Sequence, residues 1–553
     1  MDRRSLFSSL NTKAHSRSTA PLPVNGGLTP YSGPWTYATA AHLLRRAMFG
    51  PSHQQINQAV RDGLSGTLDK LTANLPLPSP PVLYSESVID PNVRKGQTWV
   101  DKPLSPSVQG LVPMKENSLY AWLMEQIFSE GVSLREKMTL FWHNHFVVSD
   151  IFDPRYNYEY IQLLREYSLG NFKTLTQKVT IDKSMLVYLN GNQNTNRAPN
   201  ENYARELMEL FTIGKGPVAG PGDYTTFTEQ DVLAMAKALT GWIIVSDPRN
   251  ETFLPYASYN NQRHDISTKQ LSHRFNNIQI TNAGADEYKN VVDILFTKRE
   301  AATFICRKLY GYFIYYKIDQ AIEDEIINGL ADILQANNFE IKPVVRTLLA
   351  SEHFYSVQAL GCMIRPPYEF MFNTLKATKF TPPTDLEQKY NVFLSIYRNF
   401  TGMQQVYFDI PTVAGWDPYH QEPAFHEIWI NSATYPTRIA FTTQFVNKSF
   451  RARQIQTPFG LELPEYVQNL PNPGNATSLV ADVVAHLLPQ PLVANQLDYL
   501  KRTLLGNLTE TQWATNWNNY ANNPGNTQAR TTVDTRLKPF FAALMAMPEY
   551  YLS

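Results

Sequence analysis

The chain has 553 residues, 43% hydrophobic and 18% charged, and its 49 basic and 49 acidic side chains balance to a formal charge of zero. That length suffices for one large core or two to three ordinary domains. The neutral balance removes the electrostatic case for nucleic acid or an anionic membrane as partner.

No apolar run reaches the roughly 18–20 residues that a membrane span needs. The only cysteines, Cys306 and Cys362, lie in apolar surroundings. Two cysteines make neither a disulfide framework nor a thiolate zinc site, and both read as small buried hydrophobes.

At the start, Arg3 and Arg4 precede Leu6 and Phe7, as in a twin-arginine export signal. The apolar stretch of about 7–15 residues that would complete such a signal does not follow. Residues 1–33 therefore read as a polar, disordered arm. A cytoplasmic location is the expectation, with export left open by the arginine pair. Residues 34–553 read as one large helical domain.

In that domain "TYATAAHLLRRAMFG" has apolar residues at helical spacing and stops at Gly50. "SHQQINQAVRDG" runs from a candidate N-cap at Ser52 to a stop at Gly63. Residues 74–112, rich in Pro and Ser, form a surface connection or a wrapping segment. Helices are predicted at about 114–130, 133–148, 156–170 and 172–190, then in "PNENYARELMELFTIG" and "EQDVLAMAKALTGW".

Residues 244–285 lose the helical period and leave room for short strands. Helix returns over 287–350, including "REAATFICRKLYGYFIYY". Residues 402–475 are again loop-rich, and "RLKPFFAALMAMPEYYLS" closes the chain as an apolar helix. No repeat occurs at a solenoid period. The expected fold is mainly α, a large multi-helix globular array with a few short strands. Its two long irregular insertions, about 244–285 and 402–475, come in addition to the connection at 74–112.

Three stretches carry candidate chemistry. In "PNENYARELMELFTIG", Asn202, Glu206 and Glu209 share one helical face, and Glu201, Arg205 and Glu209 form two successive i, i+4 pairs of opposite charge. Such a face is either solvated and laced with ion pairs, or a pair of carboxylates able to hold a cation or move a proton. Arg205 would then tune a carboxylate or grip an anionic substrate.

In "REKMTLFWHNHFVVSD", His145 falls on the apolar face with Leu134, Met138, Phe141 and Trp142, while His143 points nearly opposite, on the side of Glu136. His145 reads as a buried, hydrogen-bonded side chain or as a metal ligand. In "YNNQRHDISTKQLS", His264 adjoins Asp265 with Lys269 four residues on. That is either a surface loop or a metal-binding or proton-shuttling pair. P-loop, GxSxG, HExxH and dinucleotide fingerprints are missing.

Taken together, these stretches resemble the large bacterial family known as domain of unknown function 1800. The resemblance rests on "REKMTLFWHNHF", "DKSMLVYLNGNQN" running into "PNENYARELMELFTIG", "DVLAMAKALTGW", "RHDISTK", "RKLYGYF", "MIRPPYEF", "PTVAGWDPY" with "IWINSATYPTR", and "MAMPEYYLS". It spans roughly residues 35–553. The family's activity is uncharacterised, and many members look exported. Members are often encoded beside a second family resembling sulfatases and alkaline phosphatases, which implies a partner protein of that kind.

The resemblance further implies that the segments of Asn144 and His145, Glu201 to Glu206, and His264 to Lys269 converge in one pocket, with the Asn202–Glu206–Glu209 face as its wall. On the first reading the chain is a metal-assisted enzyme, hydrolytic or related, acting on a polar or anionic substrate. His143, His145, Glu206, Glu209 and His264 would supply metal ligands. Glu206, His264 and Asp265 would serve acid–base chemistry, and Arg205 and Lys269 would orient the substrate. The donor set suits a divalent transition metal, whether zinc, iron or manganese. On the second reading the same residues form a buried polar network in a binding or assembly protein, whose aromatic-rich loops face a protein partner.

Overall fold

The computed structural model describes residues 21–24, 26–247, 253–419 and 425–553. Its helices begin where short polar side chains satisfy the first backbone donors. Thr36 and Thr39 form a capping box ahead of the Tyr37–Ala47 helix, and Ser52 and Gln55 do the same for His53–Leu71. The stop expected at Gly63 is instead a kink, because Gly63 takes φ 71° and the helix resumes to Leu71.

Of the arm expected over 1–33, residues 1–20 lie outside the described residues, and with them the arginine pair. Residues 21–24 and 26–33 belong to the fold. Leu22 is buried, Tyr31 N donates to Ala350 O at 2.8 Å, and Ser32 bonds Glu352 through both its backbone and its hydroxyl.

The Pro/Ser-rich connection wraps the core, with Leu83 and Trp99 buried and the Trp99 indole donating to Ser118 Oγ at 3.0 Å. That contact ties it to the Leu111–Ser129 helix, which packs along Leu386–Asn399 with Tyr120 and Tyr397 stacked 4.4 Å apart. The Arg135–His145 and Pro154–Glu166 helices are joined by a fully buried ion pair, in which Arg165 grips Glu136 at 2.7 and 2.8 Å.

The irregular stretch after residue 241 holds two short antiparallel pairs, Trp242–Val245 with Tyr256–Tyr259 and Lys269–Gln270 with Gln279–Ile280. The loop-rich region over 402–475 contains a helix that its sequence conceals, Thr434–Val446. "TYPTRIAFTTQFV" is rich in β-branched residues and has a proline in its first turn. Burial of Phe441, Phe445 and Val446 stabilises what propensity disfavours.

Among the described residues, buried apolar side chains from Leu22 to Tyr551 form one continuous cluster, and the molecule is mainly α with small two-stranded sheets. Among the described residues no helix is long and apolar enough to cross a membrane.

Candidate active site

A cleft of about 240 Å³ opens between the end of the Arg135–His145 helix, one face of the Arg299–Phe313 helix, and the loops carrying Met363 and Ala414–Tyr419. Phe304, Lys308, Gly311 and Tyr312 line one wall at helical spacing, and Phe141, Asn144 and His145 line another. The third wall depends on a close approach. Trp416 N donates to Asn144 Oδ1 at 2.8 Å, and a Cβ on Gly415 would fall 2.5 Å from that same oxygen. Gly415 also takes φ 110°, so this contact requires glycine on two counts.

The Asn-Glu-Asn helix reaches the cleft through its backbone. Glu201–Glu206 is regular α-helix, but Leu207–Thr212 widens into a π-helical turn before Gly214. Carbonyls at a helix end have no partner within the helix. Here Phe211 O faces His145 Nε2 at 2.9 Å, and Leu210 O accepts from Lys308 Nζ at 3.2 Å.

His145 therefore carries its proton on Nε2, which leaves Nδ1 as the acceptor for Lys308 Nζ at 3.2 Å. Burial holds the imidazole well below its ordinary pKa, and Lys308 beside it acts in the same direction. The Lys308 amine lies against the Phe304 ring, and burial lowers its pKa to about 7.

A smaller chamber adjoins the cleft and shares Tyr312, Met363, Tyr419 and His426 with it; Arg46, Lys137 and Glu369 complete much of its wall. Lys137 bonds Glu369, and Tyr312 closes over the same lysine by donating to its carbonyl at 2.9 Å. Burial pulls the Lys137 pKa down, and Glu369 opposes that shift.

The residues singled out from sequence do not meet in one pocket. Arg205 pairs with Glu201 at 3.1 Å as expected, but its second partner is Glu229 at 2.6 Å. Glu209, in the π turn, pairs with Lys215 at 3.2 Å. Asn202 is exposed and Glu206 half-buried, its carboxyl pKa raised by burial and then by Glu209. This face is a wet surface held by ion pairs, and it lines neither the cleft nor the chamber.

His264 is fully buried, with Nδ1 2.9 Å from Thr240 O and Nε2 3.0 Å from Glu287 Oε2. Lys269 reaches the other oxygen of Glu287 at 2.5 Å and also bonds Asp265 O. The Asp265 carboxylate accepts from Ser267 and stays 4.0 Å from Lys269.

His143 is buried among Tyr407, Phe408 and Trp416, and neither of its nitrogens has a partner among the described residues. Burial alone lowers its pKa to about 3. Among the described residues no three His, Cys, Asp or Glu side chains gather as they would around a metal ion. The expected donors His143, His145, Glu206, Glu209 and His264 thus do not fit a shared transition metal.

Lys308, Lys137, Glu369 and Glu287 were not among the expected residues. Lys308 left a trace, since it sits on the apolar stripe of "TFICRKLYGYF" between Phe304 and Tyr312. Glu287 left none, being 23 residues from His264 in an ordinary amphipathic helix.

Residues 42–552 match the model of a family described as Protein of unknown function (DUF1800). No curated protein and no solved structure matches the chain.

Proposed function

The chain belongs to the DUF1800 family, and we propose that it is an enzyme acting on a polar or anionic substrate in the cleft beside Lys308 and His145. One observation carries this reading. Segments far apart in sequence that define the family resemblance, "FWHNHF", "RKLYGYF", "MIRPPYEF" and "GWDPY", all contribute side chains to that cleft.

The chemistry follows from the amine. A neutral Lys308 has two hydrogens, and the two nearest acceptors, His145 Nδ1 and Leu210 O, take both. Its lone pair is then the group left for the cleft. Such an amine takes a proton from a bound substrate or adds to a carbonyl carbon. His145 orients it and stays neutral. Metal assistance is not part of the proposal, because the expected ligands lie in separate surroundings.

A second reading, a binding or assembly protein, draws support from the His264–Lys269–Glu287 group, whose side chains are fully buried and satisfy one another. On that reading the partner is a protein of the sulfatase or phosphatase-like kind, and not nucleic acid.

Competitive acetylation of the full chain across pH 5–10, read by peptide mass spectrometry, tests the enzyme reading. Lys308 is expected to label with a midpoint near its lowered value of about 7, while surface lysines label above 9 or so. A midpoint above 9 or so, or protection of Lys308 at every pH, would sink the amine chemistry. With a midpoint near 7 in hand, a screen of carbonyl and ester substrates with Lys308→Met as control becomes worthwhile.

A further inference from the structure

A second cavity, of about 480 Å³, lies between the Leu111–Ser129 helix, the chain leading into the Pro154–Glu166 helix, and residues 406–409. It shares no lining residue with the cleft, so it is a separate site.

Its charged lining is all acidic. Glu116, Asp150 and Asp409 line it, and among the described residues no lysine, arginine or histidine does. Asp150 N donates to Phe408 O at 3.4 Å, which sets the exposed Asp150 and Asp409 on one rim, and Glu116 is half-buried. Burial alone raises the Glu116 pKa, with no cation near enough to oppose it. Burial also raises that of the Tyr120 hydroxyl, and Glu116, Asp409 and Asp150 each push it further. The three carboxylates thus act on one point of the wall.

A buried acceptor points the same way. Asn157 is 2% exposed and lines this cavity. Its Nδ2 donates to Ile151 O at 3.2 Å, whereas its Oδ1 has no partner among the described residues and is left for the cavity. A buried oxygen without a partner is costly, and what it lacks is a donor.

Negative charge and free acceptors call for a ligand that is positive and donates hydrogen bonds. A metal ion is a poor match, because among the described residues no three His, Cys, Asp or Glu side chains gather closely enough to share one. A primary ammonium group fits, having three donors and no acceptor. Phe408 and the Tyr120–Tyr397 stack add aromatic rings to the wall, and Phe152 stands 67% exposed beside them.

We propose that this cavity binds a small organic amine, its ammonium group on Asn157 Oδ1 among the Glu116, Asp150 and Asp409 carboxylates, its aromatic or apolar body against Phe152 and Phe408. The volume is in the range of small-molecule sites.

The test is isothermal titration of the full chain at neutral pH and matched ionic strength with phenethylammonium, phenethyl alcohol, benzyltrimethylammonium and calcium chloride. Phenethylammonium is expected to bind saturably, and higher salt to weaken it. The alcohol lacks the charge and the quaternary amine lacks N–H donors, so each should bind at least about tenfold more weakly. Thr401, exposed in the cavity wall, allows the local charge to be changed without disturbing the core. Thr401→Glu should tighten phenethylammonium by about threefold, while Thr401→Lys and Asp409→Asn should each weaken it by about as much.

Opposite shifts from one exposed position are not what a packing change would produce. The proposal is overturned by absence of saturable phenethylammonium binding, by equal affinity for the alcohol or the quaternary amine, by affinities that these substitutions leave unmoved, or by calcium binding more tightly than the amine.

Discussion

Two glycines at the cleft show how differently the same residue type can be constrained. A Cβ on Gly415 would lie 2.5 Å from Asn144 Oδ1 and 2.9 Å from Asn144 O, on a backbone at φ 110°. Neither the left-handed conformation nor the contact with Asn144 tolerates a side chain there. Gly415→Ala should therefore destabilise the fold by about 2–4 kcal/mol, combining backbone strain with overpacking. Gly311 lies in the Arg299–Phe313 helix, and a Cβ there meets nothing within 4 Å because the residue faces the cleft. Gly311→Ala should stabilise by about 0.5–1 kcal/mol through helix propensity. Urea denaturation of both variants checks the pair, and a Gly311→Ala protein less stable than wild type would mean that the wall is not open.

Between elements, sequence alone left open which polar groups are structural. The "PNENYARELMELFTIG" string drew attention to Arg205, Glu206 and Glu209, yet its ion pairs lie at a partly exposed surface. Arg205→Ala should cost no more than about 1 kcal/mol, the usual worth of such pairs. The buried group behaves otherwise. Glu287 joins the start of the Glu287–Leu295 helix to His264 and Lys269, and all three side chains are inaccessible to solvent. Glu287→Ala leaves the buried Lys269 with only the Asp265 carboxylate, 4.0 Å away, as counter-charge and should cost about 3 kcal/mol or more. Chemical denaturation of the two variants side by side measures the contrast, and equal losses would contradict it. The π turn over Leu207–Thr212 escaped the sequence reading for a related reason. Its apolar spacing is that of an α-helix, and only the packing of the helix end onto His145 and Lys308 selects the wider turn.

At the scale of the molecule, what could be read from sequence was what depends on local periodicity. Apolar stripes and caps located most helices, and the place of His145 among apolar residues followed from spacing. The Thr434–Val446 helix and the cleft itself depend on segments tens to hundreds of residues apart, for which one sequence carries no pairing information. The same long-range burial makes the fold acid-sensitive. His42, His143 and His486 are buried with pKa values lowered to about 3, and burial lowers His353 to about 4. Each is neutral when folded but takes a proton near pH 6.5 when unfolded, so below that pH the unfolded state binds more protons. The stability each provides is fully present above about 6.5 and falls by up to about 1.4 kcal/mol per pH unit as pH drops towards the folded value. His143 isolates the effect, because burial alone shifts it and its neighbours are the rings of Tyr407, Phe408 and Trp416. His143→Phe should remove about one proton from the uptake on unfolding near pH 5 and flatten the stability profile by about 1.4 kcal/mol per unit there. At pH 8 or so it should leave stability unchanged or raised, since no buried polar atom is then left unpaired at that position. Unfolding free energies of the two proteins from pH 4.5 to about 8 provide the comparison, and parallel profiles would show that His143 does not titrate on unfolding.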